Sequence, residues 1–287
     1  MKVMWIGHGG LLFVSGKNKI IIDPYLSDSL RSTNKQLRRR TRVKGKLFRV
    51  KPDAIVLTSS HPDRSDFKTI KRYASKWGKY TPTILACENS FKTISNSWVL
   101  KKSNLIMFEK GLEWSLGDMH ISAVGARTDD RSAFGVILTD NEDGKKYYIA
   151  SNTLYSEELI SELPDDIFCA FLPISGTFGS MNAQDAARFA KKLNAQYTVP
   201  VQYGMFDKLK ADQFIVTGRV VPKIYKVIDF NMPDDELFRN DGIDFFFNEK
   251  EPKKSKKDKS DELGRDIDTI TIDAPTISTT TTDDILI

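Results

Sequence analysis

Apolar segments of strand length and amphipathic segments of helix length alternate in both halves of the chain, and this alternation restricts the fold most. In the first half, DAIVLTS and TILACE are continuous apolar strand patterns, and FKTIKRYASKW has helical spacing. In the second half, closely spaced strand patterns lead into DIFCAFLP, the helical pattern NAQDAARFAKKLN and the strand pattern AQYTVPV. Strands flanked by helices in both halves predict an α/β fold with two facing sheets and helices outside them.

The two ends of the chain differ from this pattern. The first 50 residues contain three short strand patterns, KVMWIGH, LLFVSG and KIIIDPYL, which predict a hairpin at a sheet edge. Residues 249–287 are rich in Lys, Thr and Asp and contain no aromatic residue. Because such a segment cannot bury enough apolar surface to offset chain entropy, we expect one domain over 1–248 and a flexible charged, Thr-rich tail over 249–287. The alternative for the tail is an added edge strand through Ile270, Ile272 and Ile277.

Membrane and disulfide-based architectures are disfavoured. No segment approaches the roughly 18 apolar residues that a membrane span requires, and the first residues lack the pattern of a signal peptide. Cys87 and Cys169 lie in apolar surroundings without CxxC spacing, which predicts buried free thiols. We therefore expect a cytoplasmic protein without membrane association.

The net charge of +5 is unevenly distributed along the chain. Residues 31–51 contain ten basic residues and no acidic one, which creates a positive field able to attract phosphate, nucleic acid or an acidic partner. No aromatic stacking pattern or helix-turn-helix signature accompanies this segment. A solvated surface loop is therefore the favoured interpretation, and nucleic-acid binding through 31–51 is the less favoured alternative.

Polar residues follow two of the predicted strands at the point where each strand ends. IIIDPYL places Asp23 there, and VLTSSHPDRSD places Ser59, His61, Asp63 and Arg64 there. Polar side chains past the carboxyl ends of strands commonly line the cleft of an α/β protein. The sequence therefore predicts a functional site at this edge.

The order of motifs over residues 1–247 resembles the metallo-β-lactamase superfamily and, within it, the L-ascorbate-6-phosphate lactonase-like metal-dependent hydrolases. The motifs that carry the resemblance are WIGHGG, IIIDPYLSDS, SSHPDRSD, SAVGAR, IASNT, FLPISGTFGSMNAQDAARFA and VPVQYG. The resemblance implies an αββα four-layer sandwich. It also implies a site for one or two divalent metal ions whose bound water attacks the substrate.

The metal-ligand positions of that family are altered in this chain. The signature His-x-His-x-Asp-His falls on residues 59–64, where His61 and Asp63 are kept, Ser59 replaces the first His and Arg64 the last. The other ligand positions fall on Arg127 (or, one residue earlier, Ala126), Asn152 and Gln202, and His8 matches a supporting position. Five of the seven ligand positions are changed, two of them to guanidiniums, which have no lone pair for a metal.

From these changes we expect a catalytically degenerate protein that binds an anionic small molecule or a partner. The predicted ligand-binding residues are Arg64, Arg127, His61, Asn152, Gln202 and His8. The competing interpretation is that the arginines pair internally with Asp23, Asp63 and Asp66. No metal cofactor is expected, with zinc or manganese at His61, Asp63 and Asp23 as the alternative.

Two alternative functions remain open. One is a metal-dependent hydrolase of a phosphorylated or cyclic small molecule with an atypical metal site. The other is an interaction scaffold that binds a protein partner through residues 250–287. A homo-oligomer is also expected.

Overall fold

The computed structural model describes residues 1–77, 82–100, 103–239 and 241–248, and within them the strands form two sheets. The first sheet contains β1 (Lys2–Gly7), β2 (Gly10–Ser15), β3 (Asn18–Ile22), β4 (Ala54–Leu57), β5 (Thr83–Ala86), β6 (Leu105–Met107) and β13 (Val227–Asp229). Its order is β13-β1-β2-β3-β4-β5-β6. The strands from β3 to β6 are parallel, and the other neighbouring pairs are antiparallel.

The second sheet contains β7 (Glu113–Leu116), β8 (Met119–Gly125), β9 (Phe134–Asp140), β10 (Lys146–Ile149), β11 (Ile167–Pro173) and β12 (Tyr197–Val201). Its order is β12-β11-β10-β9-β8-β7, with β10, β11 and β12 parallel. The helices are α1 (Leu30–Thr33), α2 (Phe67–Trp77), α3 (Glu88–Ser95), α4 (Glu157–Ser161), α5 (Ala183–Leu193) and α6 (Phe245–Asn248).

The main core lies between the two sheets. Phe13 of β2 and Phe171 of β11 meet across it, with ring centroids 5.6 Å apart. On the outer faces, Tyr73 of α2 packs over the first sheet, and Phe189 of α5 stacks on Tyr148 of the second, with centroids 6.0 Å apart. These four layers confirm the predicted αββα sandwich.

One local prediction about the first sheet is wrong. The hairpin of β1 and β2 is not at an edge, because β13 pairs antiparallel with β1 and places Ile228 opposite Val3. The short apolar run VID late in the chain supplies this outer strand and buries the main-chain edge of β1.

Other predictions have different outcomes. Cys87 and Cys169 are buried free thiols, as expected. Among the described residues, no helix is long and apolar enough to cross a membrane. The predicted tail, 249–287, lies outside the described residues, so its predicted flexibility and partner binding stay predictions.

The strand directions determine where a site can form. Because β3, β4 and β5 run parallel in one sheet and β10, β11 and β12 in the other, each sheet gathers several carboxyl ends at one edge. β1 and β8 run in the same direction as the parallel strands of their sheets, because each is separated from them by two antiparallel steps. Loops from both sheets therefore converge at this edge.

Candidate functional site

Several polar residues at this edge have a left-handed backbone conformation. The values of φ are 54° at His8, 46° at Asp23, 61° at Ser151 and 59° at Gln202. Non-glycine residues adopt this region rarely, and such residues gather at functional sites where the surrounding structure holds them. The backbone N–H of Gln202 donates to the carbonyl of His8 at 2.8 Å, which ties the first sheet to the second.

Arg64 occupies the centre of the site and is fully buried. Its Nε donates to Asn152 Oδ1 at 2.7 Å, and its Nη2 donates to Gln202 Oε1 at 2.8 Å. Its Nη1 lies 3.3 Å from Asp23 Oδ2 and forms an ion pair with it. Each guanidinium nitrogen therefore has its own acceptor, two of them from the second sheet. We call Arg64, Asp23, Asn152 and Gln202, together with Asp63 and His8 beside them, the inner cluster.

Asp63 and His8 form a buried hydrogen-bonded pair next to Arg64. Nε2 of His8 lies 2.7 Å from Asp63 Oδ2, and Gln202 Nε2 donates to the same oxygen at 3.3 Å. Burial lowers the pKa of His8 below its ordinary value. Burial raises the pKa of Asp63, but the hydrogen bond from His8 and the charges of His8 and Arg64 outweigh it, so that the pKa is lowered. Asp63 is therefore ionised and held in place from two sides.

Asp23 is the carboxyl group of the inner cluster whose pKa is raised. Burial raises its pKa to about 6, although the charge of Arg64 and hydrogen bonds from Thr58 oppose the rise. The backbone N–H of Thr58 donates to Asp23 Oδ1 at 2.8 Å, and its hydroxyl donates to Oδ2 at 2.5 Å. The hydroxyl of Thr58 also contacts that of Ser151 in the second sheet. Asp23 thus links Arg64 to a chain of hydroxyls between the sheets.

A glycine in the turn between β1 and β2 makes room for the guanidinium. A Cβ atom at Gly9 would lie 1.7 Å from Arg64 Nη1 and 2.3 Å from its Cζ. Because Arg64 is held by three acceptors, it cannot move aside freely. The second glycine of WIGHGG is therefore required by Arg64, a relation that the sequence analysis missed.

His61 lies outside the inner cluster, in a more open position. Its Nε2 lies 2.9 Å from Asp129 Oδ1, and Thr128 Oγ1 donates to the same carboxylate oxygen at 2.9 Å. The exposed fraction of the side chain is 18% for His61 and 74% for Asp129. The hydrogen bond from Thr128 and the nearby His61 lower the pKa of Asp129. We call His61, Thr128 and Asp129 the outer group.

Asp130 anchors the loop that carries His61. It accepts hydrogen bonds from Ser59 Oγ at 3.0 Å and from the backbone N–H of Ser60 at 2.7 Å, and also from Ser132. Burial raises its pKa, but the hydrogen bonds from Ser60 and Ser132 outweigh this and hold the pKa well below its ordinary value. Ser59, at the first signature position, therefore binds a carboxylate that the sequence analysis did not identify.

The structure does not bring Arg127 to the inner cluster. Its side chain is about half exposed, and its Nη2 pairs with Glu158 Oε2 at 2.5 Å. Its backbone N–H donates to Thr153 Oγ1 at 2.8 Å. The expectation that Arg127 and Arg64 share one anion pocket is corrected in this respect, because the Arg127 side chain pairs with a helix carboxylate instead.

The alternative interpretation, in which the arginines pair with nearby aspartates inside the protein, agrees with the contacts of Arg64 but not with those of Asp66. Arg64 pairs with Asp23 and lies 3.7 Å from Asp63 Oδ2. Asp66 instead accepts hydrogen bonds from Ser27 and Thr69.

Ser180 is a further residue of the site that the sequence analysis missed. Its hydroxyl lies 2.9 Å from Gln202 Oε1 and 3.2 Å from Asn152 Oδ1. Only the order of motifs along the chain could have indicated Ser180, since FGSMNAQ follows β11.

Two facing sheets with helices outside and a polar site at the strand ends define the class of hydrolase-like αββα proteins. The family model of the Beta-lactamase superfamily domain matches residues 2–202, and the chain belongs to that superfamily. A metal-dependent hydrolase from Pyrobaculum islandicum is 28% identical over 226 residues, which cover 77% of this chain and 92% of the relative. A metal-dependent hydrolase from Thermus thermophilus is 27% identical, with 74% and 88% covered.

A solved structure agrees with the fold. The metallo-beta-lactamase fold protein YhfI from Bacillus subtilis superposes with a TM-score of 0.59 at 18% identity, covering 78% of this chain and 96% of that protein. The names of the two relatives overturn our expectation that no metal cofactor is involved, because both are called metal-dependent. That expectation was drawn from ligand positions alone, and it is corrected here.

The inner cluster does not fit the metal ions that these names imply. Arg64, Asn152 and Gln202 point a guanidinium and two amides into it, and a guanidinium has no lone pair to give. Among the described residues, no group of three or more His, Cys, Asp or Glu side chains is placed to hold a metal ion. The donors that remain outside this cluster are the imidazole of His61 and the carboxylate of Asp129, with the Thr128 hydroxyl beside them.

Proposed function

We propose that the protein is a hydrolase of a phosphorylated or cyclic small molecule and that it binds one divalent metal ion at the outer group. The observation that carries this proposal is the pair of His61 Nε2 and Asp129 Oδ1, which lie 2.9 Å apart at the open side of the strand-end edge. Imidazole nitrogen and carboxylate oxygen are ligands that zinc and manganese take in proteins.

The charge of the outer group supports a cation rather than an anion there. The pKa values of Asp129 and Asp130 are both held low, so both carboxyl groups are ionised at neutral pH. The buried cation Arg64 is already paired with Asp23 and lies close to ionised Asp63. Two protein donors with the Thr128 hydroxyl make a weak site, which predicts an ion that exchanges readily.

The residues of the chain have separate tasks in this proposal. A divalent ion supplies Lewis-acid polarisation of a substrate oxygen when it is bound. Asp130 fixes the loop of Ser59 and Ser60, and this holds His61 in place. Arg64 holds the carboxyl ends of the two sheets together, because its three acceptors come from both of them.

Metal binding at equilibrium tests the proposal. The protein is dialysed against a known concentration of zinc or manganese, the bound ion is determined by elemental analysis of both compartments, and hydrolysis of lactone and phosphodiester substrates is assayed in parallel. We expect close to one ion per chain at saturation and expect His61→Gln and Asp129→Asn each to abolish both ion binding and turnover. The matched controls are His120→Gln and Asp166→Asn, because His120 lies on β8 beside Ser115 and Asp166 pairs with Lys146. Equilibrium binding of the ion that is unchanged in His61→Gln and Asp129→Asn would refute the proposal.

A second candidate function is binding without turnover, and the sealed inner cluster favours it. Arg64 replaces the last His of the metal-binding signature, and its side chain is buried and paired with Asp23. In this case the protein acts by binding a small anion or a protein partner. Because Arg64 is enclosed and Arg127 is paired with Glu158, the ligand must then contact other groups. Stabilisation by phosphate or sugar phosphates in thermal-shift measurements, together with no turnover, would favour this candidate.

A further inference from the structure

The basic segment that follows α1 alternates between exposed and enclosed residues. Arg38, Arg40, Arg42 and Lys44 are exposed, whereas Arg39, Thr41 and Val43 between them are partly buried. Period-two alternation of this kind places one set of side chains outward and the other inward. The sequence does not show it directly, because basic residues occupy both the exposed and the enclosed positions.

The inward residues attach this segment firmly to the domain. The guanidinium of Arg39 donates to the carbonyl of Tyr25, and its backbone N–H donates to Asp28 Oδ1 at 2.8 Å. The backbone N–H of Arg40 donates to the carbonyl of Met205 at 2.9 Å, and Tyr225 OH donates to the carbonyl of Arg42 at 3.1 Å. The segment is therefore an ordered surface and not a freely moving loop.

The outward arginines are not neutralised by the domain. Among residues 1–77, 82–100, 103–239 and 241–248, no carboxylate forms an ion pair with Arg38, Arg40 or Arg42. By contrast, the exposed basic residues Arg188 and Lys192 of α5 pair with Asp185 and Glu157. We call Arg38, Arg40 and Arg42 the arginine row.

We propose that the arginine row binds the phosphodiester backbone of a nucleic acid. A guanidinium forms bidentate hydrogen bonds to phosphate, and three of them at alternate residues of an anchored segment present a linear set of such sites. One row on one chain segment can follow one phosphate backbone. Because the row offers contacts to phosphate alone, the binding is independent of sequence and strongly dependent on salt.

The test compares two variants that each lose three positive charges. One replaces Arg38, Arg40 and Arg42 with Ser, and the control replaces Arg188, Lys191 and Lys192 of α5 with Ser. Fluorescence anisotropy measures the affinity of the full chain for labelled oligothymidine of about 15 nucleotides over a range of salt concentrations. For three phosphate contacts we expect log K to fall with log salt with a slope of about −2, since each contact contributes about −0.7.

At about 0.1 M salt, each such contact contributes about fivefold, so the arginine-row variant should bind about 100-fold more weakly than the wild type. The α5 variant should bind nearly as well as the wild type, and the arginine-row variant should keep the wild-type unfolding midpoint. Absence of binding at low salt, or equal losses in the two variants, would overturn the proposal. Anionic phospholipid vesicles bound as tightly as the oligonucleotide would also overturn it.

Discussion

The inner cluster and the outer group lie at the same edge of the two sheets, yet they differ in almost every physical property. The side chain of Arg64 is 1% exposed and has an acceptor on each nitrogen, whereas that of Asp129 is 74% exposed and shares one contact with His61. Burial makes the first region a determinant of stability, since an unpaired charge there is costly. Exposure leaves the second region free to bind something. In this chain, therefore, Arg64 of the family motif stabilises the fold, whereas His61 of the same motif lies in the exposed region that is available for chemistry.

The largest effect is expected from removing the cation of the inner cluster. Arg64→Met leaves Asp23 as an uncompensated buried charge and takes the donor from Asn152 and Gln202, so we expect a loss of about 3–5 kcal/mol in the free energy of unfolding. Urea denaturation measures it. Arg188→Met, which breaks an exposed ion pair with Asp185, is the control and should cost less than about 1 kcal/mol. Equal losses for the two variants would remove the distinction between buried and exposed regions.

The second effect is a dependence of stability on pH that Asp23 produces. Its pKa is about 6 in the folded protein against 3.8 as the ordinary value, so between pH 4 and 6 the folded state binds more protons than the unfolded state. The free energy of unfolding therefore falls as the pH rises through this window, by up to about 3 kcal/mol. His8, whose pKa is lowered, acts in the opposite direction.

The variant Asp23→Asn separates these two contributions. It keeps His8 and removes the titration of Asp23, so the stability of the wild type relative to this variant should decrease from pH 4 to 6. Urea denaturation at several pH values gives this difference. A difference that stays constant across the window would mean that Asp23 does not titrate as its burial indicates.

The third effect concerns the glycine under the guanidinium. Gly9→Ala places a methyl group against Arg64 Nη1, and overpacking of this kind costs about 1–3 kcal/mol. Gly45→Ala is the control, because a Cβ atom there meets no atom within 4 Å. Combined with Arg64→Met, the cost of Gly9→Ala should shrink, since the two residues are in contact. Additive losses in the double variant would show that Gly9 has another role.

The smallest effect on stability is expected at the outer group. His61→Gln and Asp129→Asn each remove one contact of an exposed pair, so the free energy of unfolding should change by less than about 1 kcal/mol. Urea denaturation measures this change as well. A large loss of unfolding free energy in either variant would show that the outer group stabilises the fold, as the inner cluster does. The distinction on which the proposed function depends would then be wrong.

Much of the fold could be predicted from the sequence, because alternating apolar and amphipathic segments determine the layers. The gathering of Asp23, Asp63 and Arg64 could be predicted too, since each follows a strand and parallel strands end at one edge. Asn152 and Gln202 were indicated only by the family resemblance. The outer strand β13 could not, because a three-residue run carries too little pattern and its pairing with β1 is long-range.

The hydrogen-bond and ion-pair partners of the site residues could not be predicted from the sequence. Arg127 follows β8 as the motif order requires, but a long side chain at a strand end can turn to either side, and here it reaches Glu158. Asp129 and Asp130 follow directly in the segment RTDDRS, yet nothing in their spacing distinguishes a partner of His61 from an anchor of Ser59. Hydrogen-bond geometry and burial, which depend on the packed structure, decide between those roles.

The most direct test of the account is a crystal structure of the protein soaked with manganese or zinc, with the ion located by its anomalous scattering. The account predicts an anomalous peak within bonding distance of His61 and Asp129, with the Arg64 guanidinium still bound to Asn152 and Gln202. A peak inside the inner cluster, with Arg64 displaced from its three acceptors, would contradict it.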